Sequence, residues 1–150
     1  MLETFQPLID AARNLDLSDP GQAEKVLTER LGPDGTVATE LREALVRLLR
    51  EERIADRGSS PVRWSRVAKA TPATGGFSID AVQMSGSGPG HRHPRGEIDY
   101  CLALEGSPTF DGRGPGWVVL PPDSHHVPTV ADGTMLIIYL LPEGEIEFDT

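Results

Sequence analysis

The first third of the chain places apolar residues at the three-and-four spacing of amphipathic helices. Residues 2–12 repeat them on one helical face, and the next segment has Ser18 as predicted N-cap, Pro20 in the first turn and Gly32 as the stop. A further helix is predicted over 37–55, "VATELREALVRLLREERIA", with a leucine stripe opposite acids and arginines. Residues 1–57 are therefore expected to form about three helices that pack on another layer.

From residue 58 the pattern changes to short runs rich in Val, Ile, Trp and Tyr between Gly and Pro clusters, which is typical of strands and turns. Strands are predicted over 62–70, 76–84, 97–104, 107–112, 116–120, 126–130 and 134–141, with "EIEFD" at 145–149 as an added edge strand. Seven or eight strands at this spacing favour a sandwich or barrel. We expect a mainly β protein with α, in which one domain over 58–150 carries the helical segment 1–57.

Length and charge narrow the classes of partner. A chain of 150 residues has the size of one typical domain, and its net charge of -9 repels phosphate backbones and anionic lipid headgroups. Nucleic acid and membranes are therefore not expected partners. The apolar run "MLIIYLL" at 135–141 is far shorter than the roughly 20 residues of a membrane span. Acids near the N-terminus and a single cysteine, Cys101, favour the cytoplasm.

The stretch "GHRHPRGEIDYCLAL" at 90–104 concentrates metal-binding side chains. His91 and His93 lie two residues apart and face the same side of a strand, and Glu97 starts the next strand after the "PRG" turn. A later segment, "GWVVLPPDSHHVPTV", supplies another histidine. Three imidazoles and a carboxylate would suit Zn, Fe(II), Mn, Ni or Co and leave positions open for water or substrate. The alternative is a polar hairpin whose histidines face solvent.

The period of two places Asp99 and Cys101 on the face that carries Glu97. Asp99 is a candidate for proton transfer or, alternatively, a carboxylate hydrogen-bonded to the structure. Cys101 is expected to be a small buried wall residue rather than a nucleophile. Tyr100 and Tyr139 are expected to be core or rim aromatics whose hydroxyls are able to contact a substrate.

Two motifs in these stretches resemble those of the cupins. "HRHPRGE" is similar to the first cupin motif, His-x-His followed by Glu, and "GWVVLPPDSHHVPTV" is similar to the second, in which a histidine follows a proline by five positions. The resemblance implies a single cupin barrel, that is, a double-stranded β-helix or jelly-roll. Counted from Pro121, it also implies a divalent metal ion held by a set of four residues, which are His91, His93, Glu97 and His126.

The second motif departs from the cupin pattern in several places. Asp123 stands where cupins usually have Gly, and Val130 stands where an Asn often lies. His125 competes with His126 for the ligand position and is alternatively an acid/base group on the other side of the strand.

The segments "HPRGEIDYCLAL", "FDGRGPGWVVLPPDSHHVPTV" and "LIIYLLPEGEIEF" together resemble the 4-hydroxylaminobenzoate lyase family, over residues 88–148. That resemblance implies conversion of 4-hydroxylaminobenzoate and water to 3,4-dihydroxybenzoate and ammonia. The small aromatic substrate would bind at a metal that acts as Lewis acid or supplies hydroxide. Candidate catalytic residues are Asp99, His125 and Tyr139, and candidate substrate contacts are Arg66, Trp64 and Tyr100, with Arg66 on the carboxylate.

Other functions remain open at this point. The same four ligands would serve an Fe(II) cupin dioxygenase or an isomerase acting on a small organic acid, and a cupin of another class binds small molecules without catalysis. Cupin barrels often pair through edge strands, and the apolar run "MLIIYLL" is compatible with a buried interface. A homodimer is therefore expected.

Overall fold

The structure, a computed structural model, describes residues 1–150. Its helices are α1 (Gln6–Ala12), α2 (Pro20–Arg30) and α3 (Thr36–Arg50), with short 3-10 turns at Leu2–Phe5 and Pro72–Thr74. The strands are β1 (Arg57–Ser59), β2 (Val62–Ala68), β3 (Phe77–Met84), β4 (His91–His93), β5 (Glu97–Phe110), β6 (Gly116–Leu120), β7 (Ser124–His126), β8 (Val130–Pro142) and β9 (Glu147–Phe148). The protein is mainly β with an N-terminal helical part, as the sequence predicts.

The strands form two antiparallel sheets. The larger sheet has six strands in the order β1-β2-β3-β8-β5-β6, and the smaller has three in the order β7-β4-β9. The long strands β5 and β8 pair along most of their length, and β8 lies in the middle of the larger sheet between β3 and β5. The smaller sheet supplies the second wall of the interior.

Strand β8 is buried on both faces, because its side chains alternate between two separate cores. Leu136, Ile138 and Leu140 belong to the larger core, which the sheet forms with the three helices. Ile137, Tyr139 and Leu141 belong to a smaller core inside the sandwich. The idea that "MLIIYLL" forms a dimer interface is therefore wrong, since the helices and the interior already cover this strand. The homodimer itself stays a prediction.

The helix boundaries differ from the prediction in two places. Asp19, rather than Ser18, caps α2, because its carboxylate accepts a hydrogen bond from the backbone N–H of Gln22 while Ser18 bonds to Asp16. Helix α3 ends at Arg50 instead of continuing to residue 55. There the chain reverses through Glu52 at φ +57, which turns Ile54 into the core.

The predicted strands lie where the sequence places them, but several of their boundaries differ. Segment 107–112 is not a separate strand, because β5 continues through an irregularity between Gly106 and Thr109 as far as Phe110. Segment 126–130 is not one strand either, since β7 ends at His126 and β8 begins at Val130 on either side of Pro128. Strand β1 was not predicted at all, and "EIEFD" contributes the two-residue strand β9.

Polar contacts fasten the helices to the outer face of the larger sheet. Glu24 on α2 accepts a hydrogen bond from the backbone N–H of Val119 at 3.0 Å and forms an ion pair with Arg113. Trp117 donates its indole N–H to the carbonyl of Leu31 at 3.1 Å, and Arg42 donates to the carbonyl of Ala103 at 2.7 Å. Glu24 thereby satisfies a donor on the free edge of β6. None of the helices has the length and apolar character that a membrane crossing requires.

Candidate metal centre

A tight turn brings the end of β4 next to the start of β5. The backbone N–H of Gly96 donates to the carbonyl of His93 at 3.2 Å, and Gly96 has φ +87, which side chains rarely tolerate. A β-carbon at Gly96 would also lie 2.8 Å from the carbonyl oxygen of Leu120. The glycine of "PRG" is therefore required for His93 and Glu97 to meet.

Strand pairing selects between the two adjacent histidines of β7. His91 on β4 lies opposite His126, and Arg92 lies opposite His125. Because neighbours directly across an antiparallel pair share a face, His126 points with His91 into the interior, and His125 points outward. The register thus brings an imidazole from β7 to the first two histidines.

Four side chains converge inside the sandwich: His91, His93, Glu97 and His126. One donor atom from each lies within 4.8 Å of all the others. His126 Nε2 is 2.9 Å from His91 Nε2 and 3.3 Å from Glu97 Oε2, and His91 Nε2 is 3.8 Å from the same oxygen. His93 Nε2 also contacts Glu97 Oε2. Donors bound at about 2.0–2.2 Å to one ion lie roughly 3–3.6 Å from each other, so this quartet fits a single metal ion.

Burial strengthens the case for a metal ion. His93 and Glu97 are fully buried, and neither the ring nitrogens nor the carboxylate oxygens make a hydrogen bond of acceptable geometry, despite the contact between them. Buried polar atoms without partners are costly, and lone pairs that converge on one point repel each other. A cation at that point would satisfy all four donors. The chemistry of the quartet therefore fits a metal ion.

Asp99 lies beside Glu97 on the same face of β5 and is also fully buried without a hydrogen-bond partner of good geometry. Burial and the nearby charge of Glu97 raise the pKa of Asp99 well above its usual range. Burial acts to raise the pKa of Glu97 as well, but Asp99 and the three imidazoles outweigh it and hold that pKa well below the usual range. The pair therefore keeps its proton on Asp99 and its charge on Glu97.

Asp111 is a residue of the site that the sequence analysis missed. Its Oδ2 lies 2.7 Å from His126 Nδ1, and its Oδ1 accepts the backbone N–H of Thr129 at 2.9 Å. Burial lowers the pKa of His126, but the contacts with Asp111 and Glu97 outweigh burial and raise it to about 9. A carboxylate on the second ring nitrogen fixes the orientation of a metal-binding histidine. The available signal in the sequence was the "DG" pair after Phe110, which lies at the end of the strand predicted over 107–112.

Two of the other predicted site residues, His125 and Tyr100, lie away from the quartet. His125 is about half exposed, and its Nε2 is 2.9 Å from Asp149 on the outside of the small sheet. Tyr100 lies on the opposite face of β5, packed at 4.8 Å against the Trp117 ring under the helices. Cys101 faces the interior, where burial raises the pKa of its thiol, so it is a wall residue as the sequence predicts.

A cavity of about 620 Å³ opens beside the quartet and is lined mostly by apolar side chains from both sheets. His91 is the member of the quartet that lines it, and Tyr139, Arg66 and Trp64 lie on its wall. Arg66 is held by Asp80, with Nε 2.8 Å from Oδ1 and Nη2 3.2 Å from Oδ2. Strand pairing places Asp99, Tyr139, Asp80 and Arg66 in one row across the sheet.

Two antiparallel sheets that enclose a largely buried His-x-His, Glu and His quartet define a cupin with a site suited to a metal ion. A family model described as PnbB: 4-hydroxylaminobenzoate lyase matches residues 5–148. The chain belongs to the 4-hydroxylaminobenzoate lyase family.

Curated relatives agree with this family. A 4-hydroxylaminobenzoate lyase of Pseudomonas putida is 29% identical over 92% of this chain and 89% of its own length. One from Nocardioides sp. (strain LMS-CY) is 37% identical over 58% of this chain and 56% of its own length. Among solved structures, an RmlC-like cupin protein of Ralstonia eutropha JMP134 matches 61% of this chain and 62% of its own with 19% identity and a TM-score of 0.45.

Proposed function

We propose that this protein is a metal-dependent lyase that converts 4-hydroxylaminobenzoate, or a close analogue, and water to 3,4-dihydroxybenzoate and ammonia. The observation that carries the proposal is the buried quartet at the edge of a largely apolar cavity, in a chain of the 4-hydroxylaminobenzoate lyase family. The reaction consumes one water, releases one ammonia and involves no net oxidation, so it needs no redox cofactor.

His91, His93, Glu97 and His126 would hold the metal, a divalent ion such as Fe(II), Zn, Mn, Ni or Co. Three imidazoles and one carboxylate leave coordination positions open, which is the pattern of catalytic rather than structural sites. When bound, the ion would supply Lewis acidity toward the hydroxylamine oxygen or a hydroxide at neutral pH.

Arg66 would orient the substrate through its carboxylate. It is the one arginine or lysine on the cavity wall, and Asp80 holds its guanidinium along one edge. A planar guanidinium recognises a carboxylate through paired hydrogen bonds, and Trp64 on the same strand offers a face to an aromatic ring. Tyr100 lies under the helices, so we leave it out of the proposed substrate contacts.

Tyr139 and Asp99 would handle the proton. Burial and the charges of Asp99 and Glu97 raise the pKa of Tyr139 well above its usual range, so its hydroxyl stays protonated and is a donor on the cavity wall. Asp99 lies opposite Tyr139 in the strand register and retains a proton beside the quartet. These two groups would deliver a proton to the departing oxygen, a contribution of typically ~10²–10⁴-fold. His125 faces outward and is not part of this proposed set.

The deciding experiment measures products from 4-hydroxylaminobenzoate with metal-loaded protein under argon and in air. Equal amounts of 3,4-dihydroxybenzoate and ammonia, formed at the same rate in both, would support the lyase. Strict dependence on oxygen would contradict it and favour the dioxygenase. Saturable binding of substrate without any product would contradict it and favour a non-catalytic cupin.

A further inference from the structure

The last residues of the chain form a short wall of the cavity, which we call the C-terminal strap (residues 146–149). Two of its side chains, Ile146 and Phe148, line the cavity. The alternate side chains, Glu147 and Asp149, make ion pairs with Arg92 and His125 on the outside of the small sheet. The strap therefore has an apolar inner side and a charged outer side.

Polar contacts hold the outer side of the strap, while Ile146 on its inner side packs against the smaller core. Phe148 pairs with His91 in the strand register, and the backbone N–H of Asp149 donates to the carbonyl of Gly90 at 3.0 Å. A β-carbon at Gly90 would overlap the Asp149 carboxylate, so the glycine before His91 leaves room for the strap.

Phe148 contributes little to the core, so its own packing does not explain why the strap is held in place. Its side chain is 59% exposed, and its ring lies 5.9 Å from the ring of His91 in an edge-to-face arrangement. Trp64, on the larger sheet, is 46% exposed, and it lines the same cavity. These are the two exposed large aromatic side chains of the protein, and both meet at this cavity.

We propose that Phe148 is a specificity-determining residue, against whose ring the aromatic ring of the substrate packs while its reacting group lies at His91. This inference rests on the proposed function and adds to it the residue that selects an aromatic substrate. Edge-to-face or offset contact between aromatic rings contributes binding free energy beyond that of the apolar area they bury. Glu147 and Asp149 are positioning residues that keep Phe148 at the cavity.

The test compares Phe148→Ala with Val127→Ala in metal-loaded protein. Val127 is the matched control because it is 52% exposed and does not line the cavity. For Phe148→Ala we expect the Kd of the unreactive probe 4-aminobenzoate, measured by calorimetry, to rise about tenfold. The KM for 4-hydroxylaminobenzoate should rise by a similar factor, with kcat and metal content nearly unchanged. Val127→Ala should match the wild type.

Two further variants keep the test decisive. Phe148→Leu preserves apolar bulk without the ring and should raise the Kd of the probe less than Phe148→Ala does. The double variant Glu147→Gln with Asp149→Asn releases the strap without changing Phe148 and should also raise the Kd. An unchanged Kd in Phe148→Ala or Phe148→Leu, or an equal change in Val127→Ala, would overturn the inference. Probe binding that depends on Phe148 without any turnover by the wild type would instead contradict the proposed function.

Discussion

His125 and His126 are neighbours in the chain with opposite environments. His126 lies in the interior as a member of the quartet, and His125 forms an ion pair with Asp149 on the outside. The alternation of side chains along β7 produces this difference, since adjacent residues of a strand face opposite sides. The role of each of these residues therefore depends on the face of the strand from which its side chain projects.

His126→Ala is expected to lose most of the bound metal, because it removes one of four converging donors. His125→Ala should retain the metal, because its ring does not reach the quartet. Elemental analysis of the purified variants measures both. Full metal content in His126→Ala, or loss of metal from His125→Ala alone, would contradict the assignment.

Asp111→Asn is expected to weaken metal binding about 10–100-fold, as is typical when the carboxylate behind a metal-binding histidine is removed. Asparagine tolerates the positive φ of +49 at this position, so the backbone should persist. Competition with a chromophoric chelator gives the affinity. Asp132→Asn, at an exposed position with φ +63, is the matched control and should leave the affinity unchanged.

Cys101 is expected to resist thiol reagents in the native protein. It is 1% exposed, and burial together with the charge of Glu97 raises its pKa, so little thiolate forms near neutral pH. Reaction with Ellman's reagent should be slow in buffer and fast in denaturant. Rapid reaction in buffer would mean that the interior opens readily beside the quartet.

At the scale of elements, α3 is a cover for the larger sheet rather than a lid over the cavity. Its buried side chains belong to the same core as the outward-facing residues of β3, β5, β6 and β8. The cavity lies on the other side of that sheet, lined by residues that face the interior. The helices thus contribute to stability and leave the site to the two sheets.

Leu45→Ala in the middle of α3 is expected to lower the free energy of unfolding by about 2–5 kcal/mol, because a fully buried leucine leaves a cavity. Val37→Ala is the matched control on the same helix, where the side chain is 52% exposed. Its effect should be within about 0.5 kcal/mol. Urea unfolding followed by circular dichroism measures both, and equal effects would show that α3 is not packed as described.

For the whole molecule, we expect metal binding and folding to be coupled, since the quartet joins β4, β5 and β7. At a free metal concentration 100 times the Kd, binding adds about 2.7 kcal/mol to the stability. Chelation should therefore lower the Tm by roughly 5–10 °C for a chain of this size. His93→Ala should show no response to the chelator, and a shift of equal size in that variant would contradict the coupling.

The sequence by itself determined the elements and the donors. Period and punctuation located the helical part, most strands, the inward face of β5 and the residues His91, His93 and Glu97, because these depend on neighbours in the chain. It also identified His126 by resemblance, with His125 still open.

The tertiary structure decided what depends on pairing between distant segments. The register of β7 on β4 separated His126 from His125, and the turn after Phe110 brought Asp111 to the His126 ring. The helices cover one face of β8 and the interior of the sandwich covers the other, and the strap placed Phe148 beside His91. A one-residue change of register reverses every side chain of a strand, so only the assembled sheets fix which residues meet.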